Sequence, residues 1–244
     1  MKPIPAGTRT FADAETLAQH VTKWLCDLAR GSDRAFAVNL SGGSTPRRLY
    51  ELLATPEIAS RFPWTRVHWF WGDERFVPHD HPDSNYRMAR DAFLSRVHVL
   101  DDNIHAIPTE GLSPEHAAAA YEATLKRFHG ADTLAPGRPL FDVTLLGIGD
   151  DGHTASLFPG NFALRETQRC VVAVIGAMPE PRITLTYPAL NSSRHVAFVV
   201  TGRGKRDVVM RAQTGDRTIP AGLVRPVGRV HWFTDRAAAA EGSK

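Results

Sequence analysis

Four short apolar runs, each ending in a turn rich in glycine and polar residues, constrain the fold of this 244-residue chain. The runs have the composition of buried strands, and helical patterns follow most of the turns. This alternation indicates an α/β protein with a doubly wound, mostly parallel sheet flanked by helices. The turns occupy residues 41–45, 72–75, 149–153 and 201–205. Because loops at the carboxyl ends of parallel strands can share one crevice, we expect these turns to converge.

Apolar residues at helical spacing predict the other elements. They predict an amphipathic helix over residues 11–30. They also predict a long helix that ends near His129, with Ser113 as its N-cap. A last strand is predicted over residues 229–233, followed by a closing helix over residues 235–240.

The composition is that of a folded globular chain, with 43% hydrophobic and 23% charged residues. At this length we expect one domain over residues 1–244. A formal net charge of +3 argues against a nucleic-acid partner and fits a few cations placed for an anionic small molecule. Two cysteines without C-x-x-C spacing indicate buried, reduced thiols. No apolar stretch is typical of a signal peptide or a membrane span, so we expect a cytoplasmic protein without a membrane partner.

The stretch over residues 141–160, FDVTLLGIGDDGHTASLFPG, joins a predicted buried strand to a candidate catalytic turn. Asp150, Asp151 and His153 follow the strand, and we expect residues 154–158 to start a helical turn. A histidine can act as a general base that a nearby carboxylate orients or stabilises. The alternative is a structural turn in which the histidine is incidental.

The turn at residues 41–45 precedes a predicted helix and has the composition of an anion site. Gly42 and Gly43 allow a ligand to approach the backbone, and Ser44 and Thr45 add hydroxyl groups. Free N–H groups at a helix start favour an anion. The alternative is an ordinary turn in which Ser44 or Thr45 is the helix N-cap.

Charged residues mark the other two turns. Asp73 and Arg75 follow a strand, and Lys205 lies at a strand-to-helix junction, where a phosphate can bind. Arg87, in a predicted helix, is either an anion ligand or a surface arginine. The histidines and aspartates of residues 79–83 match no standard zinc or calcium spacing, so we expect no metal. The four turns together suggest hydrolysis or isomerisation of a small phosphorylated metabolite.

Longer motifs resemble those of the 6-phosphogluconolactonase family, in order along most of the chain. They are NLSGGSTP (39–46), WFWGDERFVP (69–78), DSNYR (83–87), LLGIGDDGHTASLFPG (145–160), PEPRITLTYPALN (179–191), VVTGRGK (199–205) and IPAGLVRP (219–226). The resemblance implies a Rossmann-like fold shared with glucosamine-6-phosphate deaminase. It also implies hydrolysis of 6-phospho-D-glucono-1,5-lactone to 6-phosphogluconate, the second step of the oxidative pentose phosphate pathway, without a cofactor.

The same resemblance implies residue roles. His153 takes the position of the family's histidine, which we expect to be the general base, and Asp151 takes that of its neighbouring carboxylate. The resemblance assigns no role to Asp150. The family's contacts to phosphate and sugar fall on Gly42, Gly43, Ser44, Thr45, Asp73, Arg75, Arg87, Arg182 and Lys205.

Two other functions are weighed against this one. An amino-sugar phosphate deaminase or isomerase resembles the chain but needs a glutamate where Phe158 stands, and Phe158 cannot transfer a proton. A non-catalytic sugar-phosphate sensor would keep the anion turn and Lys205 but would not need His153. The expected ligand is a phosphorylated sugar lactone, and the expected assembly is a monomer or a weak homodimer.

Overall fold

The computed structural model of the protein describes residues 7–239. The strands are β1 (Thr8–Phe11), β2 (Phe36–Leu40), β3 (Val67–Trp71), β4 (Asp73–Arg75), β5 (Ile104–His105), β6 (Phe141–Leu146), β7 (Val171–Val174), β8 (Arg182–Leu185), β9 (Ser193–Val200) and β10 (Arg229–Asp235). The α-helices are α1 (Ala14–Arg30), α2 (Ser44–Leu53), α3 (Pro56–Ala59), α4 (Asn85–Ala89), α5 (Pro114–His129), α6 (Tyr187–Asn191) and α7 (Arg206–Gln213).

The larger sheet has the strand order β1-β10-β9-β6-β2-β3-β5, and every neighbouring pair in it is parallel. This confirms the predicted doubly wound, mostly parallel sheet flanked by helices. β2 and β6 are buried along their whole length and are in register at Val38 and Val143. Central parallel strands are covered on both faces, which explains why their sequences are nearly continuous apolar runs.

A second sheet contains β4, β8 and β7, and its strands are antiparallel. The prediction of a turn at residues 72–75 is therefore wrong in part, because Asp73–Arg75 is a strand. The chain leaves the larger sheet at Gly72, whose N–H donates to Leu40 O (2.9 Å). The carbonyl of Gly72 accepts from Leu185 N (2.8 Å), so this one residue connects the two sheets.

The first helix is shorter than predicted. It begins at Ala14 rather than at residue 11, because extended Asp13 caps it and accepts a hydrogen bond from Thr16 N (2.8 Å). The residues before this cap form β1, a strand that the sequence analysis missed. The long helix α5 is confirmed, with Ser113 as its N-cap.

The closing helix predicted over residues 235–240 is wrong. β10 continues to Asp235 because it pairs there with β1. Residues 236–239 form a turn, in which Ala238 N donates to Asp235 Oδ1 (2.8 Å). Residue 240 lies outside the described residues.

The two cysteines are buried and unpaired, as predicted. Burial raises the pKa of the Cys170 thiol to about 11, so this thiol stays protonated at neutral pH. Between residues 7 and 239, none of the helices combines the length and the apolar character that a membrane crossing requires.

Two pairs of histidines join neighbouring strands of the larger sheet. His68 Nδ1 lies 3.0 Å from His105 Nε2, and His195 Nδ1 lies 3.0 Å from His231 Nε2. Burial, reinforced by the partner imidazole, lowers the pKa of His105 to about 4 and that of His231 to about 4. Folding therefore excludes protons that these histidines would bind in the unfolded chain.

We predict that the free energy of unfolding falls as pH is lowered from about 6.5, the ordinary histidine pKa, to 4. Above this pH range, His105 and His231 are unprotonated in both the folded and the unfolded chain. They therefore do not change the stability there. The fall should be smaller in the double variant His105→Gln/His231→Gln, as measured by denaturant unfolding at several pH values. Substitution of the exposed His116 by Gln is the control, and an equal effect of the control would contradict the prediction.

Candidate active site

Two cavities lie where the predicted turns meet. The smaller one, here called the lysine cavity, has a volume of about 260 Å³. Its lining includes residues from all four predicted turns: Gly42, Asp73, Gly149, His153 and Lys205. The predicted convergence of these turns is therefore confirmed.

The larger one, here called the arginine cavity, has a volume of about 880 Å³. Arg182 and Asp151 line it, and Arg75 and His153 line both cavities. His153 therefore lies at the junction of the two. The loop after β7, residues 175–178, borders the arginine cavity, although the sequence analysis gave it no role.

His153 and Asp151 are in direct contact. His153 Nδ1 lies 2.7 Å from Asp151 Oδ1, and His153 N donates to the same oxygen (3.0 Å). An ionised carboxylate only accepts hydrogen bonds, so Nδ1 carries a proton, and in the neutral form of the ring Nε2 is the nitrogen with a lone pair. Burial raises the pKa of Asp151, but the hydrogen bonds from His153 outweigh it, and the pKa lies below its ordinary value. The pair has the form of a general base with its orienting carboxylate.

The position of the imidazole depends on a glycine. A Cβ on Gly149 would overlap His153 Nδ1, so only glycine leaves room for the ring. Gly149 N donates to His153 O (2.8 Å), which closes the turn, and Gly152 adopts a left-handed φ of 85° within it. On another side, the Phe158 ring lies 4.8 Å from the imidazole between ring centres.

The helical turn predicted over residues 154–158 is wrong. Thr154 and Leu157 form an isolated antiparallel bridge, with Leu157 N donating to Thr154 O (3.0 Å). Ala155 between them has a φ of 48°, which lies outside the range of a right-handed helix. The result is a tight turn whose backbone borders both cavities at Ala155.

Lys205 lies beside the lysine cavity, and its Nζ is 2.6 Å from Asp150 Oδ1. The hydrogen bond and charge of Lys205 lower the pKa of Asp150. The sequence analysis gave Asp150 no role because the resemblance left its position open. The contact between two different turns shows that Asp150 is the partner of this cation.

Arg75 and Arg182 are paired residues on the neighbouring strands β4 and β8. Arg182 is buried, its Nε has no hydrogen-bond partner among residues 7–239, and Glu180 Oε2 lies 4.0 Å from its Nη2. Burial, followed by the charge of Arg75, lowers the pKa of Arg182. Two neighbouring guanidinium groups on a cavity wall favour an anionic or partly negative ligand group.

Asp73 is held by residues that the sequence analysis did not select. Ser156 Oγ donates to Asp73 Oδ2 (2.6 Å), and Asn85 Nδ2 donates to the Asp73 carbonyl (2.9 Å). Asn85 also fills the space beside Gly42, where a Cβ would overlap its side chain. Ser156 and Asn85 both lie in motifs that carry the family resemblance. That resemblance was the sequence signal by which they could have been selected.

Glu74 lies between the candidate ligands Asp73 and Arg75 but has a structural role. Its buried carboxylate accepts hydrogen bonds from the backbone N–H groups of Arg75, Asn85 and Tyr86, each at 2.8 Å. Burial raises its pKa despite these bonds. Glu74 thus ties β4 to the start of α4.

Three predicted ligands do not line either cavity. Gly43 rather than Ser44 or Thr45 occupies the N-cap position of α2. Thr45 Oγ1 contacts Thr201 Oγ1 (2.8 Å), and Ser44 is exposed. Arg87 Nε contacts Asp91 Oδ2 (3.4 Å) on its own helical segment. Roles for these residues stay predictions.

Comparison with known protein families shows which family the chain belongs to. A family model described as "Glucosamine-6-phosphate isomerases/6-phosphogluconolactonase" matches residues 12–232. The chain belongs to this family. The membership confirms the resemblance that the motifs indicated.

Individual members of the family are similar over most of the chain. The 6-phosphogluconolactonase of Nostoc sp. is 46% identical over 219 residues, which cover 88% of each chain. The chloroplastic 6-phosphogluconolactonase 3 of Arabidopsis thaliana is 42% identical, over 93% of this chain and 72% of its own. The solved 6-phosphogluconolactonase of Trypanosoma cruzi superposes with a TM-score of 0.85 at 28% identity, over 99% of this chain and 98% of its own.

We predict that Gly149→Ala displaces the His153 imidazole, because the new Cβ would occupy the place of Nδ1. Ring ¹⁵N spectra should show loss of the Nδ1–Asp151 hydrogen bond in a folded protein. Gly147→Ala is the matched control, since its Cβ would meet Ser41 Oγ at an ordinary 3.9 Å and neither glycine has a positive φ. An unchanged His153 signal in the Gly149 variant would contradict this packing argument.

Proposed function

We propose that the protein hydrolyses 6-phospho-D-glucono-1,5-lactone to 6-phospho-D-gluconate, the second step of the oxidative pentose phosphate pathway. The observation that carries the proposal is the His153–Asp151 contact at the junction of two cavities lined by cations. Membership in the family and the named activities of its relatives support the same reaction.

In the proposed reaction, His153 Nε2 takes a proton from a water molecule, and the water oxygen attacks C1 of the lactone. The carbonyl oxygen becomes an oxyanion. When this intermediate collapses, the bond between C1 and the ring oxygen breaks, and His153 returns the proton to that oxygen. Asp151 stabilises the imidazolium that exists between these steps. Proton transfer of this kind contributes roughly 10²–10⁴-fold to a rate.

The oxyanion needs a donor that is not already engaged. Gly149 N donates to His153 O, and Gly152 N donates to Gly149 O, so these backbone groups are occupied. Arg75 and Arg182 line the arginine cavity together with His153. Arg182 Nε has no hydrogen-bond partner among residues 7–239, and Arg75 uses Nη1 for the Asp83 carbonyl (2.5 Å). We assign the stabilisation of the oxyanion to these arginines.

The phosphate belongs in the lysine cavity in this proposal. Lys205 supplies a cation there, Gly42 and Gly43 line the cavity, and Gly43 leaves its backbone open to an anion. Asp150 holds Lys205 at the cavity, and a bound phosphate must share or replace that contact. Binding energy from this remote group positions C1 beside His153.

The two alternatives fit the site less well. Ring-opening chemistry would need a proton-transferring residue where Phe158 stands, and the Phe158 ring packs against the imidazole. A sensor would need the cations but not an imidazole oriented by a carboxylate. Hydrolysis of a phosphorylated lactone uses both the cations and the oriented imidazole.

We also propose that residues 1–244 act as one domain, because one apolar core includes strands of both sheets. A cytoplasmic location and a monomer or weak homodimer complete the proposal. Cell fractionation tests the location, and light scattering tests the oligomeric state. The location needs this check because one relative is chloroplastic.

We predict that His153→Ala lowers kcat roughly 10²–10⁴-fold with little change in KM, because it removes the base but not the phosphate contacts. Acid release from freshly generated lactone measures this, after subtraction of spontaneous opening. Asp151→Asn should also lower kcat, since the amide does not stabilise the imidazolium. Wild-type rates in His153→Ala would reject His153 as the base, and no activity in folded wild-type protein would reject the proposed function.

We predict that Lys205→Ala raises KM for the phosphorylated lactone about tenfold or more, with a smaller effect on kcat, because one charge-assisted contact is lost. Arg203→Ala is the matched control, since Arg203 is exposed on the same turn and lines neither cavity. Equal KM changes in the two variants would indicate a general effect of charge. A fall in kcat alone would place Lys205 at the reacting centre.

A further inference from the structure

A third cavity, here called the amino-end pocket, lies at the opposite end of the larger sheet. It has a volume of about 320 Å³. Ala37 lines it near the start of β2, Asp142 near the start of β6, and Arg194 near the start of β9. These strands are neighbours, and their carboxyl ends lead to the active-site turns. The amino-end pocket is therefore separate from the active-site cavities.

Its lining carries an excess of positive charge. Three arginines line the pocket, Arg34, Arg138 and Arg194, and Asp142 is the one acidic residue among the lining residues. With His129 neutral, the lining has a net charge of +2, out of the formal +3 of the whole chain. Burial and the charge of Arg138 lower the pKa of His129, which keeps it neutral at pH 7.

Asp142 orders two of the arginines. Its side chain is only 5% exposed and accepts a hydrogen bond from Ala37 N (2.9 Å). Arg34 binds both carboxylate oxygens, and Arg194 Nε lies 3.3 Å from Oδ1. The arginine side chains are still 56% and 47% exposed, so part of each guanidinium faces outward. An anion would meet donors whose rotamers are already fixed, which lowers the entropic cost of binding.

Asp142 and the carbonyl end of the neighbouring helix α5 do not neutralise all three arginines of the pocket. Asp142 is shared by Arg34, which makes two contacts with it, and Arg194, which makes one. The Arg138 guanidinium lies against Gly130 at the carbonyl end of α5, where a cation is favourable. Among residues 7–239, neither Arg138 nor the terminal nitrogens of Arg194 have a side-chain hydrogen-bond partner. With one carboxylate for three guanidinium groups, the concave lining keeps a positive charge that no carboxylate in the lining balances.

We propose that the amino-end pocket binds a small phosphorylated anion through Arg138 and Arg194, with Arg34 as a third contact. Guanidinium groups match the geometry of phosphate oxygens, and the pocket volume suits a phosphate or a small phosphate monoester. This site is independent of the proposed lactonase reaction.

The test uses the whole 244-residue chain, titrated with inorganic phosphate and, separately, with glycerol 3-phosphate at constant ionic strength. Arginine Nε–Hε NMR signals distinguish the amino-end pocket from the active-site cavities. We expect saturable shifts at Arg138 and Arg194 for at least one probe. Tighter binding of glycerol 3-phosphate would identify a phosphate monoester as the ligand class, and tighter binding of phosphate would identify the free ion.

The double variant Arg138→Ala/Arg194→Ala, followed at the Arg34 Nε–Hε signal, should bind the probe at least about tenfold more weakly, since two charge-assisted contacts are lost. Arg138→Ala alone breaks no contact with Asp142, so it should weaken binding while the contacts of Arg34 and Arg194 with Asp142 are kept. Arg127→Ala, on the exposed side of α5, is the matched charge control. Shifts that do not saturate, or equal weakening by the control, would overturn the proposal.

Discussion

The parallel pairing of β6 with β2 on one side and β9 on the other is the constraint on which both ends of the molecule depend. At the carboxyl ends, it brings the turns after these strands together around His153 and Lys205. At the amino ends, the same register gathers Arg34 and Arg194 around Asp142. One set of backbone hydrogen bonds thus fixes two charged clusters at opposite edges of the sheet.

The second sheet supplies what the parallel sheet cannot. Because the chain turns out of β3 at Gly72, the next residues pair with β8 instead of starting a crossover helix. This pairing places Arg75 beside Arg182 on the wall of the arginine cavity. Like charges at such close range are unfavourable without a counter-ion, so this arrangement favours a bound group that carries negative charge.

Local sequence predicted the parallel sheet and the meeting of its turns, because buried strands and glycine-rich turns leave clear patterns. It did not predict β4, because three charged residues after a strand resemble a loop and the pairing partner is over a hundred residues away. The turn around Ala155 and the contact of Lys205 with Asp150 also depend on tertiary structure. The family motifs indicated candidate residues for the site, whereas only the folded chain shows which of them lie together and how they touch.

The His153–Asp151 pair explains how a loop can hold the proposed base in one orientation. A single oxygen, Asp151 Oδ1, contacts both the backbone N–H and the Nδ1 atom of His153, so the carboxylate fixes the ring relative to its own backbone. Gly149 and Phe158 restrict the remaining motion. Phe158 offers packing where ring-opening chemistry would need a second proton-transferring group. The turn that orients the proposed base therefore places an apolar ring beside it at Phe158, which suits the attack of water on an activated carbonyl.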